Sequence, residues 1–218
     1  GGGLALMLDL GANVDCSAAQ LLQFAVMGGE LFGAMYPRNS QPRIGLLNVG
    51  TEDIKGGSVI KEAHHLLQQS PLNFVGNVEG NAVFSGEVDV VVADGFTGNA
   101  VLKAIEGAVK FIGGIIREEF SRNWLNKLAA LLALPTLRGF KNRLDPRKFN
   151  GAIFLGLRGI VIKSHGSADV EAFKYALLEA YHEVESGSMA KIEQGIATQM
   201  ARLAAAAEQT QTATAPAE

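Results

Sequence analysis

Short apolar runs alternate along this 218-residue chain with longer helical patterns, and glycine or aspartate stands at most of the junctions. This alternation predicts βα units that build a mainly parallel sheet. Several of the runs are continuously apolar, as expected for strands that helices cover on both faces. The sequence therefore predicts an α/β fold with a doubly wound, mainly parallel sheet. The strands are predicted over residues 4–8, 44–48, 74–78, 88–93 and 160–163.

The first three predicted helices fill the intervals between these strands. The first begins at Ser17, whose hydroxyl forms a capping box with Gln20, and the glycine pair 28–29 weakens its end. The second is predicted over about 58–68. A long third helix follows Gly98 and carries apolar side chains at core spacing.

Three more helices are predicted in the second half of the chain. The fourth covers about 124–134 and is stopped by Pro135. The fifth begins near Ser167, and its core face is predicted to comprise Phe173, Leu177, Ala180 and Val184. A last helix reaches about residue 207 and buries little, and we expect residues 209–218 to form a disordered tail.

Composition and net charge limit the cellular compartment and the binding partners expected of this chain. A formal net charge of −3 provides no basic field for nucleic acid, so nucleic acid is not an expected partner. Cys16 is the single cysteine, which excludes a disulfide framework and indicates a reducing cytoplasm. The opening residues lack a basic leader, which argues against a signal peptide. The longest apolar stretches, 128–137 and 152–162, are too short to span a bilayer.

Four loops follow predicted strands, where parallel sheets place their ligands. The first, residues 9–15, contains Asn13 and Asp15, which could orient a polar ligand or satisfy the turn; turn chemistry is favoured by composition alone. The second, residues 48–56, places Lys55 between glycines, where it could meet an anionic group or remain a solvated surface lysine.

The third loop, residues 93–99, is the most informative. Its glycines are expected to expose backbone N–H groups at the positive end of a helix, and its side chains add hydrogen-bond donors. Together these groups predict an anion cradle, whereas the alternative is an ordinary βα turn with a helix cap. Neither the lysine loop of nucleotide hydrolases nor the dinucleotide fingerprint is present. The predicted phosphate-side residues of this loop are Asp94, Gly95, Thr97, Gly98 and Asn99.

The fourth loop brings cationic and hydrogen-bonding side chains to a helix start, namely Lys163, Ser164, His165 and Gly166. This set suits a phosphate dianion or a developing oxyanion, because its members carry positive charge or donate hydrogen bonds. His165 could also transfer a proton, although a lone histidine beside a glycine is more often structural. No histidine has the sequence spacing of a metal ligand, so no metal site is predicted. We expect the four loops to gather in one pocket for a doubly charged oxyanion.

Residues 117–148 combine basic and apolar side chains on one amphipathic segment. Such a segment suits a membrane interface or an acidic carrier protein, and a dimer or core helix with a solvated basic face is equally consistent with the spacing. The side chains predicted to touch a membrane or partner are Trp124, Leu128, Leu131, Leu132 and Leu134.

Six stretches, in order, resemble motifs of the phosphate acyltransferase (PlsX) family of bacterial phospholipid synthesis. They are Leu8-Asp-Leu-Gly-Ala-Asn-Val-Asp-Cys16, Gly45-Leu-Leu-Asn-Val-Gly50, Asn73-Phe-Val-Gly-Asn-Val-Glu79, Asp94-Gly-Phe-Thr-Gly-Asn99, Phe149-Asn-Gly-Ala152 and Ile162-Lys-Ser-His-Gly166. The resemblance covers about residues 4–185. It implies a fold related to phosphotransacetylases and isopropylmalate dehydrogenases.

The resemblance also implies an activity and partners. Family members transfer an acyl group from acyl carrier protein to inorganic phosphate, use no cofactor, form homodimers and attach peripherally to the membrane. They pass acyl phosphate to a membrane-bound glycerol-phosphate acyltransferase. Lys55 and Asn99 match positions proposed to act in the site, and residues 124–137 fall where the family has its dimer helices and membrane-touching tip.

Family members normally carry a further N-terminal stretch with another glycine-rich loop, so we expect this chain to be a fragment or a truncated gene product. We assign residues 1–187 to the α/β domain, with 117–148 as a protruding helical segment, and 188–218 to a C-terminal helix and tail. Direct attack of phosphate on the thioester is expected, with Lys55, Asn99 and His165 as the catalytic candidates. Cys16 has no evident base partner for an acyl-enzyme route. The alternatives are a dehydrogenase of related fold and a non-catalytic dimerisation or membrane module.

Overall fold

The computed structural model describes residues 5–38, 41–143, 145–157, 159–186 and 188–213. These residues form two compact units, and each is described by itself. The first unit comprises the described residues up to Val101 together with those from Ser188 onward. The second unit comprises the described residues of Leu102–Ser186.

A four-stranded parallel sheet forms the centre of the first unit. Its strands are β1 (Leu6–Leu8), β2 (Ile44–Leu47), β3 (Phe74–Val78) and β4 (Val90–Val92), in the order β1-β4-β2-β3. Every neighbouring pair is parallel. The predicted mainly parallel sheet is therefore confirmed, and residue 4 of the first predicted strand lies outside the described residues.

Helices cover both faces of this sheet, because successive side chains of a strand point to opposite faces. Val90 and Val92 of β4 face one core with α1 (Ala18–Met35) and α2 (Ser58–Gln68). Val91 faces the other core, which contains α3 (Ala82–Ser85). All three valines are fully buried. The doubly wound arrangement predicted from the continuously apolar runs is thus present.

The capping box at the start of α1 is confirmed. Gln20 donates its backbone N–H to the Ser17 hydroxyl at 3.3 Å, and the Ser17 N–H donates to the Gln20 side chain at 2.8 Å. The prediction that Gly28 and Gly29 weaken the helix end was wrong, since α1 continues to Met35. A Cβ at Gly28 would lie 2.8 Å from Val90, so the glycine lets the helix approach β4 closely.

The last helix, α7 (Ser188–Ala213), packs against α1 within the first unit. Met189 and Ile192 are buried, so the prediction that this helix buries little was wrong for its first two turns. The predicted disordered tail began at residue 209, whereas the helix continues through Ala213. The remainder of that tail, residues 214–218, lies outside the described residues.

The second unit contains two long helices and a small antiparallel pair of strands. Helix α4 (Gly95–Ser121) begins in the first unit and continues into the second, where α5 (Trp124–Arg143) follows it. The prediction that Pro135 stops α5 was wrong. One lost N–H donor does not end this helix, because good helix formers such as leucine, alanine and arginine stand on both sides of the proline.

The fourth loop follows a strand that does not belong to the parallel sheet. Strand β6 (Ile162–Lys163) pairs antiparallel with β5 (Ala152–Ile153) in the second unit. The prediction of a fifth parallel strand over residues 160–163 was therefore wrong. The two strands are only two residues long, and such a short apolar run does not distinguish one pairing from the other.

Helix α6 (Val170–Ser186) starts three residues later than predicted, with the Asp169 carboxylate accepting the Ala172 N–H at 2.8 Å. The predicted core face was also wrong, because Phe173, Leu177 and Val184 are exposed, whereas Ala180 is half-buried. Its buried face carries Ala172 and Ala176 instead. Small residues are needed here, since a Cβ at Gly151 would lie only 3.1 Å from the Ala176 backbone.

The long third predicted helix corresponds to α4. Val101 packs against a buried cluster of the first unit. The other apolar side chains predicted at core spacing are half-buried at Leu102, Ile105, Val109 and Ile116 and exposed at Ile112. The predicted core spacing therefore describes a helix face that is mostly half-buried and is not part of a fully buried core. Within the described residues, no helix combines the length and hydropathy needed to cross a membrane.

Candidate functional site

Three polar loops lie at one edge of the parallel sheet. They are the Asp9 loop (residues 9–15) after β1, the Lys55 loop (residues 48–57) after β2 and the Asp94 turn (residues 93–99) after β4. Because β1, β4 and β2 are neighbouring parallel strands, their carboxyl ends meet at the same edge. The sheet thus brings together three of the four loops singled out in the sequence.

Asp9 organises the first of these loops. One carboxylate oxygen accepts the N–H groups of Gly11 and Ala12, each at 2.9 Å. The other accepts the backbone N–H of Asn13 at 2.7 Å and its side-chain amide at 2.9 Å. Burial alone would raise the pKa of Asp9, but these four donors outweigh it and hold the pKa below its ordinary value.

Asn13 therefore satisfies the turn, as the composition of this loop favoured, because its amide is used by Asp9. Asp15 is exposed. Sequence reasoning did not single out Asp9, although it is only 4% exposed. The sequence feature that could have identified Asp9 is an aspartate directly after an apolar strand with a glycine two residues later. That glycine, Gly11, has a φ of +123°.

The Asp94 turn differs from the predicted loop, because α4 already begins at Gly95. The Asp94 carboxylate caps the helix, accepting the Thr97 N–H and the Thr97 hydroxyl, each at 2.7 Å. The Gly95 N–H donates to the Asn13 carbonyl and the Gly98 N–H to the Asp94 carbonyl. The expectation that these N–H groups are open is therefore wrong, since each has a partner inside the protein.

The two glycines of this turn serve close packing instead. A Cβ at Gly95 would collide with the Asn13 carbonyl oxygen, and one at Gly98 would collide with the Asp9 carbonyl oxygen. Both contacts are to backbone, which cannot swing aside as a flexible side chain would. The start of α4 thus lies directly on the Asp9 loop.

Asn99 stands where these two segments meet. It is exposed, and its Cβ is 3.5 Å from the place that a Cβ at Gly11 would occupy. Among the described residues, its amide makes no hydrogen bond within the protein. An exposed amide on the first turns of a helix is free to bind a ligand oxygen.

Lys55 reaches the same edge from β2. Its ammonium pairs with the Glu52 carboxylate at 2.9 Å and remains 46% exposed. A Cβ at Gly50 would lie 2.6 Å from the Lys55 side chain, so this glycine gives the lysine room to fold over the loop. The hydrogen bond from Lys55 holds the pKa of Glu52 below its ordinary value. Lys55 therefore has an anionic neighbour within the chain.

The second unit holds the fourth loop in a separate polar group. The backbone N–H of His165 donates to the Asn150 side-chain oxygen at 2.8 Å. The Asn150 amide donates to the Ser164 hydroxyl at 3.0 Å and to the Ala172 carbonyl at 2.7 Å. Asn150 thus ties the loop to α6. Lys163 and Gly166 are exposed beside it.

Lys103 is a contact of His165 that sequence reasoning missed. Its ammonium lies 3.0 Å from Nε2 of His165 and 2.9 Å from the Glu106 carboxylate. Hydrogen bonding to Lys103 lowers the pKa of Glu106. The available signal was a lysine and a glutamate three residues apart on a helix, which is common on solvated helix faces.

An ammonium can only donate, so Nε2 of His165 must accept from Lys103. The ring proton then resides on Nδ1, which lies 2.8 Å from the Ser167 hydroxyl. The Ser167 backbone N–H, 3.2 Å from Nδ1, favours the opposite tautomer. The tautomer with the proton on Nδ1 is favoured, because Lys103 is ionised and hydrogen bonds from ionised donors are stronger than those from neutral ones.

The three loops of the sheet edge belong to the first unit, and the His165 group belongs to the second. The prediction that all four loops gather in one pocket therefore stays a prediction. The contacts of the predicted site residues with phosphate or acyl groups likewise stay predictions.

Cys16 has a structural role at the head of α1. Its side chain packs against the buried cluster under α1 and donates to the Asn13 carbonyl at 3.3 Å. Burial raises the pKa of this thiol, which makes it a poor nucleophile. In the part of the chain that the structure describes, no three His, Cys, Asp or Glu side chains converge as a metal site would require.

Helix α5 forms most of the basic and apolar segment, residues 117–148. Trp124 is 72% exposed and Leu132 is 78% exposed, while Leu128 and Leu131 are also exposed and Leu134 is half-buried. A shallow groove of about 330 Å³ runs along the helix and is lined by Lys127, Ala130, Leu131, Leu134, Leu137 and Arg138. The segment therefore presents a large apolar surface with basic residues at its margin.

Comparison with known proteins places this chain among relatives with a common name. A family model described as fatty acid synthesis protein matches residues 1–191. The phosphate acyltransferase of Neisseria gonorrhoeae is 64% identical over 205 residues, which are 94% of this chain and 59% of that protein. The chain belongs to the phosphate acyltransferase (PlsX) family. The family predicted from the six sequence motifs is thereby confirmed.

Other phosphate acyltransferases are similar to this family member to a comparable extent. That of Bordetella parapertussis is 56% identical over 191 residues, covering 88% of this chain and 54% of that protein. That of Chromobacterium violaceum is 53% identical over 201 residues, covering 92% and 58%. The chain thus spans a little more than half the length of the curated relatives it matches.

Proposed function

We propose that this chain contributes to an acyltransferase that moves a fatty acyl group from acyl carrier protein to inorganic phosphate, for phospholipid synthesis. The names of its relatives support acyl transfer, and family membership favours it over the dehydrogenase alternative. The reaction is proposed to need no cofactor, since phosphate itself is the nucleophile. The whole protein, of which this chain matches about half, is the proposed enzyme.

One observation carries the assignment to specific residues. Two groups lie at the carboxyl edge of one parallel sheet: the ammonium of Lys55, on the loop after β2, and the amide of Asn99, on the first turns of α4. The Asn99 amide makes no hydrogen bond to the described residues. Both groups stabilise negative charge on oxygen. An arriving anion would compete with Glu52 for Lys55, which ties occupation of the site to release of that ion pair.

The proposed chemistry is a single acyl transfer without a covalent enzyme intermediate. A phosphate oxygen attacks the thioester carbonyl carbon, a carbon–oxygen bond forms, and the carbon–sulfur bond breaks. The carrier sulfur leaves as a thiolate, which takes up a proton. Lys55 and Asn99 would stabilise the carbonyl oxygen as it becomes negative, and His165 is the candidate for proton transfer.

The geometry refines the proposed phosphate contacts. Asn13, Asp94, Gly95, Thr97 and Gly98 build the edge by hydrogen bonding and packing among themselves. We therefore propose that, in the first unit, Lys55 and Asn99 contact the attacking phosphate as well as the carbonyl oxygen that becomes negative. In the second unit, Lys163, Ser164 and Gly166 remain the proposed phosphate-side residues beside His165.

The test measures free carrier protein released from acyl carrier protein in the presence and absence of inorganic phosphate. Lys55→Ala and Asn99→Ala are each expected to lower the phosphate-dependent rate by about 10²-fold, as removal of an oxyanion donor does. Lys61→Ala, on the exposed face of α2, is the matched control and should keep the wild-type rate. Near-normal turnover in both site variants would remove these residues from the mechanism.

This assay is run on the chain and, in parallel, on the full-length Neisseria gonorrhoeae relative. Activity that appears only in the full-length protein would show that the remaining half is required. Nicotinamide binding by either protein, in place of phosphate-dependent release, would instead favour the dehydrogenase alternative.

A second candidate function, a membrane or dimerisation module, is favoured by the exposed apolar surface of α5. In this reading the chain contacts a lipid surface, a membrane-bound glycerol-phosphate acyltransferase or a second copy of itself. Vesicle flotation tests contact with lipid. Trp124→Ser combined with Leu132→Ser should reduce flotation, whereas Val170→Ser, at a still more exposed apolar residue on α6, should not. Flotation without any acyl phosphate formation would favour this candidate over the enzyme.

A further inference from the structure

A buried histidine lies beneath the Lys55 loop, outside the residues proposed to contact substrate. His64 of α2 and Asn77 of β3 are each only 6% exposed, although both side chains are polar. Buried polar groups lose their hydration and are retained where hydrogen bonds replace it. The partners of these two side chains therefore indicate what the pair is for.

The hydrogen bonds form a directed chain into the loop. Nδ1 of His64 lies 3.0 Å from the Asn77 side-chain oxygen, and the Asn77 amide donates to the backbone carbonyl of Glu52 at 3.3 Å. A carbonyl can only accept, so the nitrogen of the Asn77 amide must face Glu52 and its oxygen must face His64. The proton on the neutral His64 ring therefore resides on Nδ1.

The same carbonyl of Glu52 also holds Lys55. It accepts the Lys55 backbone N–H at 3.1 Å, while the Glu52 carboxylate pairs with the Lys55 ammonium at 2.9 Å. Asn48 anchors the other side of Lys55 by donating its amide to the Lys55 carbonyl at 3.1 Å. The position of Lys55 is thus linked to the buried pair through one peptide group.

Packing fixes the plane of the His64 ring. The ring meets Phe74 of β3 edge to face, with centroids 5.1 Å apart and an interplanar angle of 79°. Its second nitrogen, Nε2, lies 3.4 Å from the exposed carboxylate of Asp53, the residue next to Glu52. With the ring proton on Nδ1, Nε2 is an acceptor and makes no hydrogen bond to the described residues, so the link from His64 to the Lys55 loop runs through Nδ1 and Asn77.

We propose that His64 and Asn77 are positioning residues that hold the Lys55 loop over the carboxyl end of β2. The importance of this role for catalysis rests on the proposed function, in which Lys55 stabilises the developing oxyanion. The positioning itself is a property of the fold and is measured without any substrate.

The test compares two substitutions of His64 by amide hydrogen exchange. His64→Phe keeps an aromatic ring against Phe74 but removes the donor, so exchange at residues 52–55 should accelerate by about fivefold, corresponding to one lost hydrogen bond. His64→Asn places an N–H at the position of Nδ1 and should return exchange to near the wild-type rate. The amides of β2 (Ile44–Leu47) should be unchanged in both variants.

Two outcomes of the exchange experiment would overturn the proposal. One is wild-type exchange of residues 52–55 in His64→Phe, and the other is equal acceleration in His64→Asn and His64→Phe. A measurement on the unsubstituted chain covers the case in which a variant does not fold. The ¹⁵N shifts of the neutral His64 ring should show the proton on Nδ1, and a proton on Nε2 would contradict the proposed hydrogen-bond chain.

The failure of this proposal is distinguishable from failure of the proposed function. If Lys55→Ala retains full acyl transfer while the exchange results hold, the catalytic role of Lys55 fails and the positioning stands. If Lys55→Ala is inactive while exchange in His64→Phe is normal, the positioning fails and the catalytic role stands.

Discussion

The Asp9 carboxylate offers the sharpest test of how the sheet edge is built. Its four hydrogen bonds, from Gly11, Ala12 and twice from Asn13, involve a side chain that is only 4% exposed. Asp9→Asn keeps the shape and one acceptor oxygen. The new amide nitrogen, however, is a donor and would face the backbone and side-chain N–H groups of Asn13. Since these are also donors, neither hydrogen bond can form.

The substitution therefore removes two hydrogen bonds to a charged acceptor. Each such bond contributes about 1.5–3 kcal/mol, so the free energy of unfolding should fall by about 3 kcal/mol or more. Urea unfolding at pH 7, followed by far-ultraviolet circular dichroism, measures this change. Asp15→Asn, in the same loop but exposed, is the matched control and should change stability by less than about 0.5 kcal/mol.

The same carboxylate gives stability a pH dependence with a definite sign. Folding holds the pKa of Asp9 below its ordinary value, so the folded state favours the ionised form. Its contribution should be complete above about pH 5 and be lost as pH falls below the unfolded value of about 3.9. Asp9→Asn should therefore lose less stability on acidification than the wild type. A loss below about 1 kcal/mol at pH 7, or equal acid sensitivity, would refute this account of Asp9.

Two further predictions concern α4. Gly98→Ala should lower the free energy of unfolding by about 3 kcal/mol, because the new Cβ would collide with the Asp9 carbonyl and overpacking against backbone is costly. Gly107→Ala, which has open space around it, is the control and should be neutral or stabilising by up to about 1 kcal/mol. Equal unfolding midpoints in the two variants would contradict the close packing of Gly98. Lys103→Met should move the ring proton of neutral His165 from Nδ1 toward Nε2, as measured in ¹⁵N spectra, because the lysine that can only donate is gone. Lys103→Arg keeps a donor and should preserve the wild-type tautomer. An unchanged tautomer in Lys103→Met would show that Lys103 does not determine the tautomer of His165.

The parallel sheet was predictable because its strands are short, continuously apolar and followed by polar turns. Val90, Val91 and Val92 face helices on both sides, which leaves no polar position within the strand. The capping box of Ser17 and Gln20 was predictable for a different reason: it depends only on neighbouring residues. Local chemistry and full burial both leave a direct mark on the sequence.

The errors arose where tertiary packing overrides local preference. Gly28 does not weaken α1, because β4 requires a residue without a side chain at that position. The face of α6 follows the same principle: Ala176 is buried where Gly151 approaches its backbone closely, while the larger Phe173 and Leu177 remain exposed. Hydrophobic spacing alone does not reveal how near a neighbouring backbone will come.

The candidate site was predicted in part. Lys55 and Asn99 lie at the expected edge, but the glycines of the Asp94 turn pack against backbone and do not offer open N–H groups. The supporting residues were missed, because His64 and Lys103 act through partners distant in sequence. A single sequence shows which groups could bind an anion, whereas only the fold shows which of them are already engaged.

The central claim is that Lys55 and Asn99 together bind an oxyanion at the carboxyl edge of the sheet. Titration of the ¹⁵N-labelled chain with inorganic phosphate tests it directly. The account predicts saturable shifts of the Asn99 side-chain amide and of the Lys55 loop, both abolished in Lys55→Ala. Resonances that do not move with phosphate, or that move equally in Lys55→Ala, would contradict it.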